Sequence, residues 1–154
     1  MIPMAEGMSG KRFVQGFLVF LAVFAAGLIY AQFFAFYERT SGIETLVIDG
    51  ASVPIAGYDG IDSRSSPLKL RGCFTIAPEV VAALPPAPDA TPLTPPFWFS
   101  CFDAGRLTGD LASGAATAHA LTRNEPKGFD EMIAVYPDGK GYRWRQLNEA
   151  FREQ

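Results

Sequence analysis

The strongest chemical feature of this 154-residue sequence is its pair of cysteines. Cys73 lies in RGCF and Cys101 in FSCF, each beside aromatic residues in a stretch expected to be buried. Three kinds of chemistry fit two thiols: a structural disulfide, two inert buried thiols, or a reactive or metal-binding pair. An even count, in a compartment that permits oxidation, favours the disulfide. Such a bridge closes a loop of moderate size and stabilises the fold by about 3 kcal/mol on the chain-entropy model. Redox exchange calls for close spacing such as CxxC, so that one thiol can resolve a mixed disulfide formed by the other, and that spacing is missing. Copper suits thiolate ligands, but the remaining soft or imidazole donors are His119 and four methionines, three of them in the first eight residues. No metal site and no cofactor are expected. His119 has no neighbouring His, Cys or carboxylate in sequence and reads as a solvated or hydrogen-bonded strand residue.

The carboxylates offer less. Asp59 and Asp62 in YDGIDS could lend oxygens to calcium, but the acidic loop with its bidentate glutamate is absent, so turn formation is expected of them. Asp103 and Asp110 could be imagined as an acid/base pair, yet capping and a solvated helix face suit them better. GxSxG, P-loop, dinucleotide and HExxH patterns do not occur. The expectation is a protein that is not an enzyme.

The element that must position everything else is residues 13–37, FVQGFLVFLAVFAAGLIYAQFFAFY, which contain no Asp, Glu, Lys, Arg, His or Pro. A helix of that length rises about 37 Å, enough to cross a hydrocarbon core of about 30 Å. Lys11 and Arg12 abut its N-terminal side, while Glu38 and Arg39 nearly cancel on the other. The positive-inside bias then leaves a cytoplasmic tail (1–12) and turns the domain (38–154) outward. Tyr30, Phe33, Phe34, Phe36 and Tyr37 crowd the outer end, as an interfacial aromatic belt would. A cleaved signal peptide competes with this reading, with Ala25, Ala26 and Gly27 as its small-residue site. Against it, apolar character runs ten residues past Gly27, whereas a signal core is about 7–15 residues in all. Phe13, Phe17, Phe20, Phe24, Gly27, Ala31 and Ala35 recur at spacings of three and four and share one helical face. Its outer half is a small-xxx-small pattern that admits a partner helix; a face turned to lipid fits the same residues.

The domain carries 11 basic and 15 acidic residues, a net charge of −4 with no basic stripe, which argues against nucleic acid as a partner and against binding of anionic lipid headgroups along the domain. Residues 38–42 read as a polar linker, and 44–49 with 52–55 as two short strands about a turn, Pro54 fitting an edge. Residues 57–67 read as a loop and 68–76 as a core strand in which Gly72 marks an interruption or bulge. Pro78 suits the first turn of a short helix. Residues 85–96 hold six of the twelve prolines and imply an extended excursion. Residues 97–102 form a buried strand or loop anchor. Asp103 caps a helix that Gly114 stops, and 117–122 is a strand. The clearest signal is a hairpin: 132–136, the turn PDGKG, and 142–147 with Trp144 facing the core. Together these give a small α+β domain with short antiparallel strands behind one transmembrane helix.

With those segments named, the chain resembles a family of short, uncharacterised membrane-anchored proteins of alphaproteobacteria. The resemblance is carried by AFYE at 35–38, SSPLKLRGCF at 65–74, WFSCFDA at 98–104 and VYPDGKGYRWRQLNE at 135–149. It implies a single-pass inner-membrane protein with a periplasmic domain and supplies no activity, cofactor or substrate. Two functional expectations follow. One is an accessory or assembly protein, held in the lipid bilayer and docking on a larger inner-membrane complex through its helix seam and its domain. The other is a thiol-dependent or copper-handling periplasmic factor for a respiratory complex, using Cys73 and Cys101 as thiolates.

Overall fold

The computed structural model describes residue 7 and residues 9–152, so most of the expected tail, 1–6 and 8, lies outside the described residues. The chain divides into two units, Met1–Phe36 and Tyr37–Gln154.

The described residues of the first unit contain one helix, α1 (Gly10–Phe33), with none of its residues buried. Ser9 O accepts from the N–H groups of Arg12 and Phe13 at 2.8 and 3.1 Å at its start. Tyr30 O accepts from both Phe34 and Ala35, at 2.9 and 3.0 Å, which closes the last turn. At 24 residues the helix is about 36 Å long and sufficiently apolar to cross a bilayer. It begins three residues before the expected span and ends four before its expected end. Apolarity records which residues tolerate lipid, and the FFAF run at 33–36 satisfies that equally in a turn. Ala35 consequently leaves the helical face, while Phe13, Phe17, Phe20, Phe24, Gly27 and Ala31 stay on it.

The second unit is a mixed α+β domain. Its main sheet has six antiparallel strands in the order β1-β4-β5-β8-β7-β6: β1 (Glu38–Ser41), β4 (Ala56–Asp62), β5 (Arg71–Thr75), β8 (Lys140–Leu147), β7 (Phe129–Val135) and β6 (Thr117–Thr122). A separate hairpin joins β2 (Thr45–Ile48) to β3 (Ala51–Pro54). Short helices α2 (Glu79–Ala82) and α4 (Glu149–Arg152) and the longer α3 (Ala104–Ser113) complete it. Each face of the sheet carries its own core. Ile61, Met132, Ala134, Trp144 and Ala118 on one face meet Phe99, Phe102 and α3 through Ala104 and Leu107. On the other, Tyr58, Phe74, Ile133 and Val135 meet the β2–β3 hairpin through Leu46 and Ile48, and α2 through Val81.

Three expectations change. The supposed linker is β1, pairing Glu38 with Asp62 and Ser41 with Asp59; four polar residues make a short charged edge strand, which discourages further pairing. The supposed loop 57–67 is largely β4, so Asp59 and Asp62 sit on a strand and form no turn. Its glycines are there for space. Gly60 and Gly72 are direct partners across β4 and β5, and a methyl group on either would come within 2.6–2.8 Å of the Tyr58 ring or hydroxyl. Gly72 thus marks a close approach; the irregularity lies in β4, between Ala56 and Asp59. Finally, the strand expected at 68–76 is shortened by a 3-10 turn at Pro67–Lys69.

Elsewhere local chemistry and structure agree. Asp103 accepts the Arg106 N–H at 3.0 Å at the start of α3, and Gly114, at φ 82°, ends it. Trp144 is fully enclosed, and the β7–β8 register pairs Met132 with it.

Candidate functional site

Cys73 and Cys101 are brought to disulfide distance, their sulfurs 2.12 Å and their Cα atoms 6.3 Å apart. Cys73 lies on β5 opposite Tyr142, and Cys101 two residues before the cap of α3, so the pair fastens the start of α3 to the middle of the sheet. Phe102 reinforces this junction, standing edge-on to Tyr142 and Trp144 at 5.9 and 6.1 Å. No other cysteine occurs, and among the described residues no three His, Cys, Asp or Glu side chains gather where a cation could be held.

The loop between the cysteines contains the proline run, which is held at several points. Ala87 N–H donates to Ala118 O at 2.9 Å, where Pro86 bridges His119 on the outer edge of β6. Gln146 Oε1 accepts from Thr91 N–H at 2.7 Å and from the Trp144 indole at 3.1 Å, and its Nε2 donates to Asp89 O at 3.0 Å. Arg71, buried on β5, donates to Leu93 O, Leu68 O and Leu70 O at 2.7, 2.5 and 2.6 Å. Three carbonyls and the face of the Phe102 ring, 5.8 Å away, receive a charge that has no carboxylate partner among the described residues. Burial pushes its pKa down to about 10. The excursion is therefore neither helix nor sheet, yet it is tied to the domain by backbone and side-chain bonds. Residues 97–102 form no strand and anchor that loop, with Phe99 and Phe102 buried.

Other charged groups assemble only in three dimensions. Glu131, on the register pair of Arg145, lies between two arginines: 3.3 Å from Arg143 and 3.5 Å from Arg145. Arg145 continues to Asp62 at 3.7 Å, and Arg143 Nε donates to the Tyr58 hydroxyl at 2.9 Å. Burial raises the Tyr58 pKa, against the opposing pull of Arg143. On the opposite face of the same end of β7, Arg123 bridges Asp89 and Asp130, both at 2.7 Å. Burial would raise the Asp130 pKa, but bonds from Asn124 N–H, Arg123 and Asn148 outweigh it and hold the carboxyl below its ordinary range. The Tyr136 hydroxyl donates to Asp110, and burial and this carboxylate together raise its pKa. Asp103 and Asp110 sit at the cap and on the face of α3, as their sequence context suggests, but no feature of the sequence marks Tyr136 as the partner of Asp110. Only the packing of α3 beside the end of β7 brings 110 and 136 together.

His119 is buried, with Nδ1 3.0 Å from Leu84 O. It shares the sheet face of its register partner Ile133, whereas Cys73 shares that of Tyr142. The imidazole and the sulfurs are on opposite sides of the sheet and form no common site. Two shallow grooves flank β6. One, of about 330 Å³, includes Val81, Thr117, His119 and Tyr136 in its walls; the other, of about 460 Å³, runs between Pro86, Pro88, Leu111 and Ala118. Their walls are mainly aliphatic, which suits packing more than acid/base chemistry. The arrangement as a whole is a cross-braced scaffold with charged groups paired internally.

No curated protein and no solved structure matches this chain. A model for a family of unknown function, DUF6446, matches residues 44–154, which takes in both cysteines, the proline run, Arg71, Gln146 and the β7–β8 hairpin. With most of its length accounted for by that match, the chain belongs to the family of unknown function DUF6446.

Proposed function

We propose that this protein is a non-catalytic accessory or assembly subunit of a bacterial inner-membrane complex, anchored by α1 with its domain in the periplasm. The observation that carries this reading is α1 itself, none of whose residues is buried and whose Phe13, Phe17, Phe20 and Phe24 are each more than half exposed. Such a surface is stable against lipid tails or another helix and not against water. The face that carries Gly27 and Ala31 gives a partner helix a place to approach closely. Lys11 and Arg12 beside the N-terminal turn support the orientation. The cysteine pair supports the compartment, since such a bond persists where thiols are not kept reduced.

The test is extraction of a tagged chain from native membranes in mild detergents, followed by native electrophoresis and identification of what co-migrates. Migration in a large assembly is expected, with loss of that assembly in Gly27→Leu/Ala31→Leu. Recovery as a free monomer in every detergent overturns the reading. The thiol-dependent or copper-handling alternative is separated by trapping thiols in intact cells before mass analysis: a Cys73–Cys101 bond that never exchanges eliminates it.

A further inference from the structure

We propose that the corner of the domain formed by Tyr37, Trp98 and Phe97, flanked by Lys69 and Arg39, lies in the phospholipid headgroup layer of the membrane that α1 crosses. This rests on the reading of α1 as a membrane span. It goes further in assigning the domain a lipid-contacting face, where the acidic net charge of the domain gives no reason to expect one.

Chain reach limits what this corner can do. Tyr37 is the fourth residue after Phe33, the last of α1, and four residues extend at most about 14 Å. The residues between, Phe34, Ala35 and Phe36, include no polar side chain to draw the chain out into water. Tyr37 is therefore confined to the depth at which hydrocarbon gives way to phosphates.

The side chains gathered about Tyr37 are those that this depth favours. Trp98 stands edge-on to the Tyr37 ring at 5.7 Å, and edge-on to the buried Phe99 at 6.4 Å, so the aromatic corner is fixed to the core. A tight turn, with Phe99 N–H donating to Pro96 O at 3.0 Å, presents Phe97 with 73% of its surface exposed. The Lys69 ammonium lies 4.8 Å from the Tyr37 ring and the Arg39 guanidinium 5.9 Å from the Trp98 ring. Tryptophan and tyrosine suit the headgroup layer because each has an apolar body with one polar edge, and lysine and arginine reach phosphates from beside them. The acidic balance of the domain opposes broad adsorption to anionic lipid, so the contact belongs to the aromatic rings with Lys69 beside them, Arg39 being paired with Asp59 at 3.2 Å.

The sequence contains two tryptophans, and the second, Trp144, is wholly enclosed. Full-length protein is reconstituted into phosphatidylethanolamine–phosphatidylglycerol vesicles carrying bromine either near the headgroup end of the acyl chains or near their termini. Flotation after an alkaline wash reports the anchor. Tryptophan emission reports the corner. Wild type is expected to float and to lose part of its emission, more with shallow bromine than with deep. Trp98→Phe is expected to float equally and to lose none. Flotation with emission unchanged by bromine overturns the inference and leaves the span intact, as does quenching that persists in Trp98→Phe. Failure to float overturns the reading of α1, and the inference with it.

Discussion

Gly60 and Gly72 are cross-strand partners whose missing side chains make the space that the Tyr58 ring occupies. Tyr58 in turn stacks on Phe74 at 6.0 Å and accepts from Arg143, so two glycines in adjacent strands admit the ring that joins the core of Phe74, Ile133 and Val135 to the charged group of Arg143, Glu131 and Arg145. A side chain at either glycine must displace a ring that is already held on two sides. Gly72→Ala is expected to destabilise the domain by about 1–3 kcal/mol, the usual range for overpacking a filled site. A denaturant double-mutant cycle with Tyr58→Ala should give strong coupling, and additive losses would show that the ring is not what the glycines accommodate.

The cysteine bridge spans 28 residues of chain, so its removal frees a loop of substantial entropy. Cys73→Ser/Cys101→Ser is expected to lose about 3–4 kcal/mol by the loop-entropy relation, provided that the oxidised form is the one isolated. Chemical denaturation with and without reductant measures it. A midpoint indifferent to reductant in wild type would contradict the estimate.

Arg71 and Gln146 hold the proline run through Leu93, Asp89 and Thr91. Arg71→Lys cannot reproduce a planar fork directed at three carbonyls, and should cost about 2 kcal/mol while making residues 85–96 a preferred cleavage site for a broad-specificity protease. Gln146→Leu should act on the same segment and leave the Trp144 indole and Thr91 N–H without their shared acceptor. Cleavage patterns identical to wild type would show that the segment is held by packing alone.

Asp130 makes stability depend on acid. Its folded pKa lies below the ordinary value of 3.8, so its ionised form binds Arg123 and Asn148 with stability that is fully present above that value and lost as pH falls through the folded one. Asp130→Asn is expected to cost about 2–3 kcal/mol at neutral pH, since Arg123 loses one of two carboxylates and the buried position keeps fewer bonds. The gap between variant and wild type should close below the folded pKa, where both carry a neutral side chain. Denaturation midpoints across pH 2–7 test this, and a gap independent of pH would reject the charge argument.

Periodicity and local chemistry in the sequence determined the apolar helix, the capped α3 and the β7–β8 hairpin with Trp144 inward, because each depends on residues close in the chain; the two cysteines, 28 residues apart, were legible as a pair from their even count alone. The tertiary structure decided the rest. It made β4 out of an apparent loop, since the glycines that look like turn residues are spacers for Tyr58, and it made β1 out of an apparent linker, since an edge strand needs a partner more than it needs apolar residues. It set Asp110 beside Tyr136, Glu131 between two arginines and His119 on the opposite side of the sheet from the sulfurs. Those relations depend on strand order and register and on how α3 packs against the sheet, which are fixed by contacts across the whole domain and leave no local pattern to read.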